Sequence, residues 1–252
     1  MIQLTAAIIT FNEEKNIARC IESLLPVAEE ILIVDSYSKD RTKEIALSYP
    51  KVRFIENPFE GHIQQKNVAL NMAKNDWVLS LDADEALTPD LQKSILTVKE
   101  NPTYKGYKFN RLTYYCGHWV KYCGWYPDTK VRLVQKDNAE WRGVNPHDRL
   151  DVVDGSEIAH LKGDLLHYSY YTAEQHYKQI EYFGDIAAKE LYNKGKSTNY
   201  FVIYGKTGAQ FIKSFFIKKG ILDGKTGWLI SKRSAYATYR KYSKLLALNN
   251  KK

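Results

Sequence analysis

Three observations predict an α/β fold for this sequence. Short β-branched runs alternate with helical stretches through about residue 100, the pattern of consecutive βαβ units around a parallel sheet. Three of those runs end in polar residues, as strands do where an open sheet faces a ligand crevice. The 252 residues, 44% hydrophobic and 13% aromatic, suffice for one folded domain with a smaller appendage, without low-complexity tracts or internal repeats.

Strands are predicted over Leu4 to Thr10, Glu30 to Asp35, Val52 to Glu56 and Trp77 to Asp82, with helices over Glu14 to Leu25, Arg41 to Ser48 and His62 to Lys74 between them. Asn12 and Asp40 are candidate caps of the first two helices, and Asp90 begins a fourth after Pro89. Residues 105 to 170 are rich in Tyr, Trp, Thr, Val and Gly, and are expected to add strands and loops. A long helix from Ala173 to about Asn193 precedes a turn-like break at Lys194-Gly195-Lys196-Ser197. The expected division is 1–200, with halves 1–100 and 101–200, followed by a helical appendage at 201–252.

The amino terminus lacks the basic region and cleavage signature of a secretory signal. No apolar run approaches the ~20 residues needed to cross a bilayer, so any membrane contact is expected to be peripheral. Cys20, Cys116 and Cys123 match neither a disulfide framework nor a paired zinc knuckle, which fits a reducing cytoplasm. Cys116, His118 and Cys123 could ligate a metal, but their aromatic surroundings favour packing.

The most informative stretch is Asn75 to Glu85, where an apolar run stops at Asp82 and Asp84. Two carboxylates at a strand end could hold a hard divalent cation against a substrate phosphate, although strand ends also favour Asp for turns. What surrounds them decides between these readings. Ile8 to Glu14, Val34 to Thr42, Lys66-Asn67 and Leu81 to Glu85 form four ordered motifs that resemble the family-2 glycosyltransferases of the GT-A fold. Farther on, Trp125 to Asp128 with Arg132-Leu133, Asn145 to Leu150, His167 to Ser169 and Gly220 to Gly227 resemble the subgroup that glucosylates the inner core of bacterial lipopolysaccharide. Asp148 stands where that subgroup usually carries Glu, which shortens the carboxylate's reach by a methylene.

The resemblance implies a GT-A domain, Rossmann-like with a mostly parallel central sheet flanked by helices. It also implies inverting transfer from a UDP-sugar, glucose in that subgroup, to a lipid-linked saccharide acceptor. Nucleotide-sugar contacts would come from Thr10, Phe11, Asn12, Glu13, Asp35, Lys66, Asp82, Ala83 and Asp84. Asp35 can accept the imide N–H of uracil, while Lys66 could reach base or phosphate, or be an ordinary helix lysine. Mn²⁺ or Mg²⁺ would be held by Asp84, with Asp82 nearer the ribose or bound through water, and with His167 from across the cleft. Read alone, His167 is more often a packed, hydrogen-bonded core histidine, and it is the resemblance that raises the ligand reading. Asp148 is the candidate general base, its alternative being a turn aspartate paired with Arg149. Trp119, Trp125 and Tyr126 could stack on acceptor sugars and Arg132 could meet acceptor phosphates, although aromatics in a β region also serve the core.

Charge is unevenly placed. Residues 201–252 carry twelve Lys and Arg against Asp223 alone, a net +11, which leaves 1–200 at about −3 within a total of +8. With Phe211, Phe215, Phe216 and Trp228 among the lysines, this segment has the composition of an interfacial element attracted to anionic lipid on the inner face of the cytoplasmic membrane. Nucleic-acid binding and a merely solvated face are the competing readings, and no nucleic-acid partner is expected. A non-catalytic membrane adaptor sits poorly with the intact acidic residues. A sugar-1-phosphate nucleotidylyltransferase would need a glycine-rich phosphate loop that Thr10 to Glu13 lacks.

Overall fold

The computed structural model describes residues 1–144 and 147–250. Asn145 and Pro146 of the predicted loop motif, and Lys251 and Lys252 of the basic tail, lie outside the described residues. Strands β1 (Leu4–Thr10), β2 (Glu30–Asp35), β3 (Val52–Glu56) and β4 (Trp77–Asp82) alternate with helices α1 (Ile17–Leu24), α2 (Thr42–Leu47) and α3 (His62–Met72). There follow β5 (Glu85–Leu87), α4 (Pro89–Glu100), β6 (Gly106–Tyr115), β7 (His118–Val120), β8 (Asp128–Gln135), β9 (Ala139–Val144), β10 (His147–Val152) and β11 (Ile158–Tyr170). Three long helices close the chain: α5 (Ala173–Asn193), α6 (Tyr200–Ile212) and α7 (Gly224–Asn249).

The main sheet has the order β3-β2-β1-β4-β8-β6-β11-β5, with β7 paired to β6, while β9 and β10 form a separate hairpin. Parallel pairing is confined to β3-β2-β1-β4; β8 joins β4 antiparallel, and β6 and β5 pair antiparallel with β8 and β11. Every residue of β2 is buried, as expected for a parallel strand covered on both faces. One core lies between α1, α4 and the sheet around Leu4, Ile8, Ile21, Ile31, Leu79 and Phe109. A second, around Leu32, Val34, Leu70, Val78 and Trp141, lies on the side of α3 and the hairpin.

The predicted caps are displaced. Asn12 adopts φ 54° and joins the first two loops instead of capping α1: its N–H donates to Ser38 Oγ at 2.8 Å and its Oδ1 accepts from Lys39 N at 2.8 Å. The helix accordingly starts only after Asn16. Asp40 does accept the Thr42 N–H at 3.0 Å. The fourth helix begins at Pro89 with Asp90 in its first turn, and Thr88 caps it by accepting the Leu91 N–H.

Two compact units emerge, one from residues 1–111 and 128–168, the other from 112–127 and 169 onward. These units divide the chain at other places than the break expected at residue 200, and α5 finds partners on α7. Glu181 takes a bidentate pair from Arg240 and a further contact from Lys244, Asp185 pairs with Lys244 at 2.8 Å, and the Tyr177 and Tyr236 rings stack 5.3 Å apart. The Arg240 hydrogen bonds hold Glu181 down at about 2. Part of the tail's positive charge is thus neutralised by α5.

The Gly220 to Gly227 motif locks α7 onto its preceding turn. A Cβ on Gly227 would stand 1.8 Å from the Gly220 carbonyl oxygen. Gly227→Ala should therefore cost more than about 3 kcal/mol in urea denaturation. Gly195→Ala, which has φ 69° but nothing within 4 Å, should cost only about 1 kcal/mol.

Candidate active site

The rim at the carboxyl ends of β1, β2 and β4 is built from loops that bind one another. Ser36 N donates to Thr10 O at 2.9 Å, Glu13 N to Thr42 Oγ1 at 2.8 Å, and Ala83 N to Ile9 O at 3.3 Å. Thr10 is buried with its Oγ1 unpartnered, and Phe11 is more than half exposed. Asp35, expected to accept from a base, is buried with Oδ2 accepting the Ser38 N–H at 2.7 Å and Oδ1 accepting the Ser38 hydroxyl. In this structure it orders the second loop.

Behind the rim lies a chain of alternating charge. Lys66, on the inner face of α3, is buried and places Nζ 2.8 Å from Asp148 Oδ2 and 3.0 Å from Asp82 Oδ1. The geometry of a hydrogen bond is met toward Asp82 Oδ2 instead, at 3.4 Å. Arg132 reaches Asp82 Oδ2 at 3.3 Å and Glu85 Oε1 at 2.9 Å, and Arg111 joins Glu85 at 3.3 Å to Asp128 at 2.8 Å. The second Glu85 oxygen accepts the backbone N–H of Asp82 at 3.0 Å. Trp141 floors the chain, with Lys66 Nζ 4.4 Å and Arg132 Cζ 5.3 Å from its ring centroid.

Charges fix ionisation here. Burial favours the neutral form of Asp82, but Lys66 and Arg132 outweigh it and hold the carboxyl far below its usual range. Among the described residues no cation pairs with Glu13. Burial, with Asp84, Asp40 and Asp82 nearby, raises its pKa to about 7 despite a hydrogen bond from Asn16.

Asp84 stands apart from the cationic chain. Its Oδ2 lies 3.2 Å from Nε2 of His167, which β11 brings opposite Glu85 on β5, and its carbonyl accepts the Tyr168 N–H at 2.9 Å. Burial would depress His167, yet the Asp84 carboxylate keeps its pKa above the ordinary value. Among the described residues no group of three or more His, Cys, Asp or Glu is gathered to hold a metal.

Asp148, Lys66, Asp82, Ala83, Asp84, His167 and the Thr10 to Glu13 loop thus belong to one unit. The pairing of Asp148 with Arg149 does not form, since Arg149 binds Asp151 at 3.0 Å. Arg132, expected to meet acceptor phosphates, is instead 2% exposed and bound to Glu85 and Asp82. The correction follows from the position of Arg132 in β8, where Arg132, Leu133 and Val134 are all buried and the guanidinium finds its carboxylates inside. Trp119, Trp125 and Tyr126 belong to the second unit. Trp119 packs on Tyr114 at 5.2 Å, and Trp125 packs among Tyr115, Tyr170 and His176. Glu85, Arg111, Asp128 and Trp141 were not singled out as site residues. The acidic residue directly after Asp82-Ala83-Asp84 was the available signal for Glu85.

A parallel half-sheet continued by antiparallel strands, with a polar rim at its carboxyl ends, defines a GT-A-type α/β protein. The profile of glycosyl transferase family 2 matches residues 5–148, and the chain belongs to that family. It is 32% identical over 262 residues to an uncharacterized glycosyltransferase of Rickettsia typhi, covering all of this chain and 89% of the relative. It is 25% identical over 260 residues to the lipopolysaccharide core biosynthesis glycosyltransferase LpsC of Rhizobium meliloti, covering 96% and 94% of the two chains. Among solved structures, S. aureus TarS 1-349 in complex with UDP-GlcNAc shares the fold with a TM-score of 0.51 at 14% identity, over 98% of this chain and 90% of the other.

The Glu13 environment gives a pH prediction. A carboxyl raised from the usual 4.5 to about 7 keeps its proton in the fold over a range where the unfolded chain has lost it, so its contribution to stability falls as pH rises through that window. Glu13→Gln should gain on the wild type between pH 4.5 and 7, by about 1–2 kcal/mol after solvent screening, read by urea denaturation in metal-free buffer.

Proposed function

We propose that this transferase moves a sugar, glucose, from a UDP-sugar to a lipid-linked saccharide of the lipopolysaccharide core or a related envelope glycan, with inversion at the anomeric carbon. The observation that carries this reading is the Lys66 bridge between Asp148 and Asp82, which ties the candidate base to the carboxyl end of β4. Support for the acceptor class comes from LpsC, and support for a UDP-sugar from the motifs of the first two loops and from TarS, whose complex holds UDP-GlcNAc.

Donor binding falls to the joined first loops. Thr10 Oγ1 is a buried, unspent group for base or ribose, and the Asn12–Ser38–Lys39 contacts shape the rim around it. A uracil seeking Asp35 must displace or share with Ser38.

The donors near the site suit Mn²⁺ or Mg²⁺. Asp84 Oδ2 and His167 Nε2 stand 3.2 Å apart, and this carboxylate and imidazole would together hold such an ion. Bound there, the cation would neutralise charge developing on the leaving diphosphate. Asp82, already neutralised by Lys66 and Arg132, would contribute through water.

Asp148 receives the acceptor hydroxyl's proton as that oxygen attacks from the face opposite the diphosphate. Lys66 fixes its carboxylate, which presents the oxygen not bound to the lysine. Membrane attachment through residues 201–252, at the inner face of the cytoplasmic membrane, would confine the search for a lipid-linked acceptor to two dimensions. No helix among the described residues is long and apolar enough to cross a membrane.

Two substitutions separate the roles. Asp148→Asn should retain UDP binding in calorimetric titration and lower turnover about 10²–10⁴-fold; unchanged turnover would remove the base from this position. Asp84→Ala should abolish the difference between UDP titrations with Mn²⁺ and with EDTA while the protein stays folded. A Mn²⁺ response equal to that of the wild type excludes Asp84 as ligand.

A further inference from the structure

The second unit contains a cavity of about 550 Å³ lined by Lys121, Tyr122, Gly124, Tyr126, Pro127, Ile217, Lys218 and Lys219. Its size is that of a small-ligand site, roughly 300–1,000 Å³. Three of the eight lining residues are lysines and none is acidic. Among the described residues, none of these lysines makes an ion pair. Lys105, Lys130, Lys194 and Lys244, by contrast, each meet a carboxylate within 3.0 Å. The unit's nearest acidic residue in sequence, Asp223, is buried and spent on His118 at 3.1 Å and the Tyr122 N–H at 2.9 Å, so it does not offset them.

The walls are held in place by backbone. Cys123 N donates to Lys218 O at 3.0 Å, tying the loop to the turn that carries two of the lysines, and Lys218 N donates to Lys213 O at 2.8 Å. Cys123, Gly124 and Lys219 all adopt positive φ, at 60°, 79° and 55°. Such conformations persist only where surrounding contacts hold them. The same turn exposes a lipophilic set: Ile217 is 68% exposed, Leu222 62% and Phe216 57%. Apolar side chains exposed beside unpaired lysines match a surface that enters the headgroup layer of a bilayer.

We infer that this cavity is a headgroup site: it grips the phosphate of an anionic, membrane-embedded lipid while Phe216, Ile217 and Leu222 enter the acyl boundary. Lysines supply point charges for phosphate, and the two tyrosines supply faces and hydroxyls for an attached sugar. This site deepens the membrane attachment proposed above, replacing a diffuse basic tail with a defined pocket, and it rests on that reading. The pocket contains no residue placed in the donor site.

The test is sedimentation of the full chain with vesicles of phosphatidylcholine alone, phosphatidylcholine with phosphatidylglycerol, and phosphatidylcholine with monophosphoryl lipid A. Competition with free glucose 1-phosphate distinguishes a soluble phosphate from a lipid headgroup. Wild type should prefer both anionic vesicles, glucose 1-phosphate should compete only in large excess, and Lys121→Gln/Lys218→Gln/Lys219→Gln should weaken binding roughly a hundredfold. The triple Lys→Arg variant should keep it. Ile217→Ser/Leu222→Ser should weaken binding to all vesicles without altering the preference for anionic ones. Equal binding by the Gln variant and wild type overturns the inference, as does tight glucose 1-phosphate binding that vesicles do not compete. UDP titration of the same variants keeps the two readings apart. Loss of vesicle binding with UDP binding intact supports the pocket, whereas a wild type that binds vesicles but no UDP counts against the donor reading and leaves the pocket standing.

Discussion

The buried carboxylate of Glu85 is the constraint on which the candidate site depends. One oxygen holds Arg132 and Arg111, and the other accepts the N–H of Asp82. A carboxylate with no exposed side-chain surface is tolerated only with such partners. Through Arg132 it balances Asp82, through Asp82 it meets Lys66, and through Lys66 it reaches Asp148. Five charges on β5, β8, β4, α3 and β10 are thereby fixed relative to one another. Burying them gains little stability over well-packed apolar residues, because desolvation offsets most of the attraction. Placement is what the chain achieves, since each side chain has a partner on a different element and few ways to move.

The charge order also separates two tasks that the sequence had merged. Asp82 and Asp84 are one residue apart, but β4 ends at Asp82 and Asp84 lies in the turn before β5, so the two carboxylates enter different surroundings. Asp82 meets cations and stays ionised, whereas Asp84 meets the imidazole of His167. A pair of equivalent ligands would repel each other and raise one pKa. Dividing them leaves Asp84 paired with His167 while Asp82 anchors the network behind it.

The parallel half of the fold was legible because its signals are local. β-branched runs, helix periodicity and polar strand ends place β1 to β4 within their predicted bounds. The acidic motif and Asp148 were legible as residue types. What escaped was set by contacts distant in sequence: Arg132 sits against Glu85 47 positions away, and Lys66 against Asp148 82 positions away. Asn12 looked like a helix cap, yet loop-to-loop bonds with Ser38 and Lys39 use its amide instead. The packing of α5 escaped for the same reason, since Glu181 finds its salt-bridge partner Arg240 on α7, 59 residues later.

The helical unit turns an average property into a specific one. A net +11 over 52 residues suggests uniform attraction to anions, but the structure divides those charges. Arg240 and Lys244 are consumed by Glu181 and Asp185 on α5, so they stabilise helix packing rather than a ligand. Lys218 and Lys219 find no carboxylate among the described residues, and they gather with Lys121 at a cavity beside exposed Phe216 and Ile217. Electrostatic attraction at physiological salt decays over about 8 Å. Local grouping therefore matters more than total charge, and three lysines around one cavity attract a phosphate more effectively than the same number dispersed along a helix.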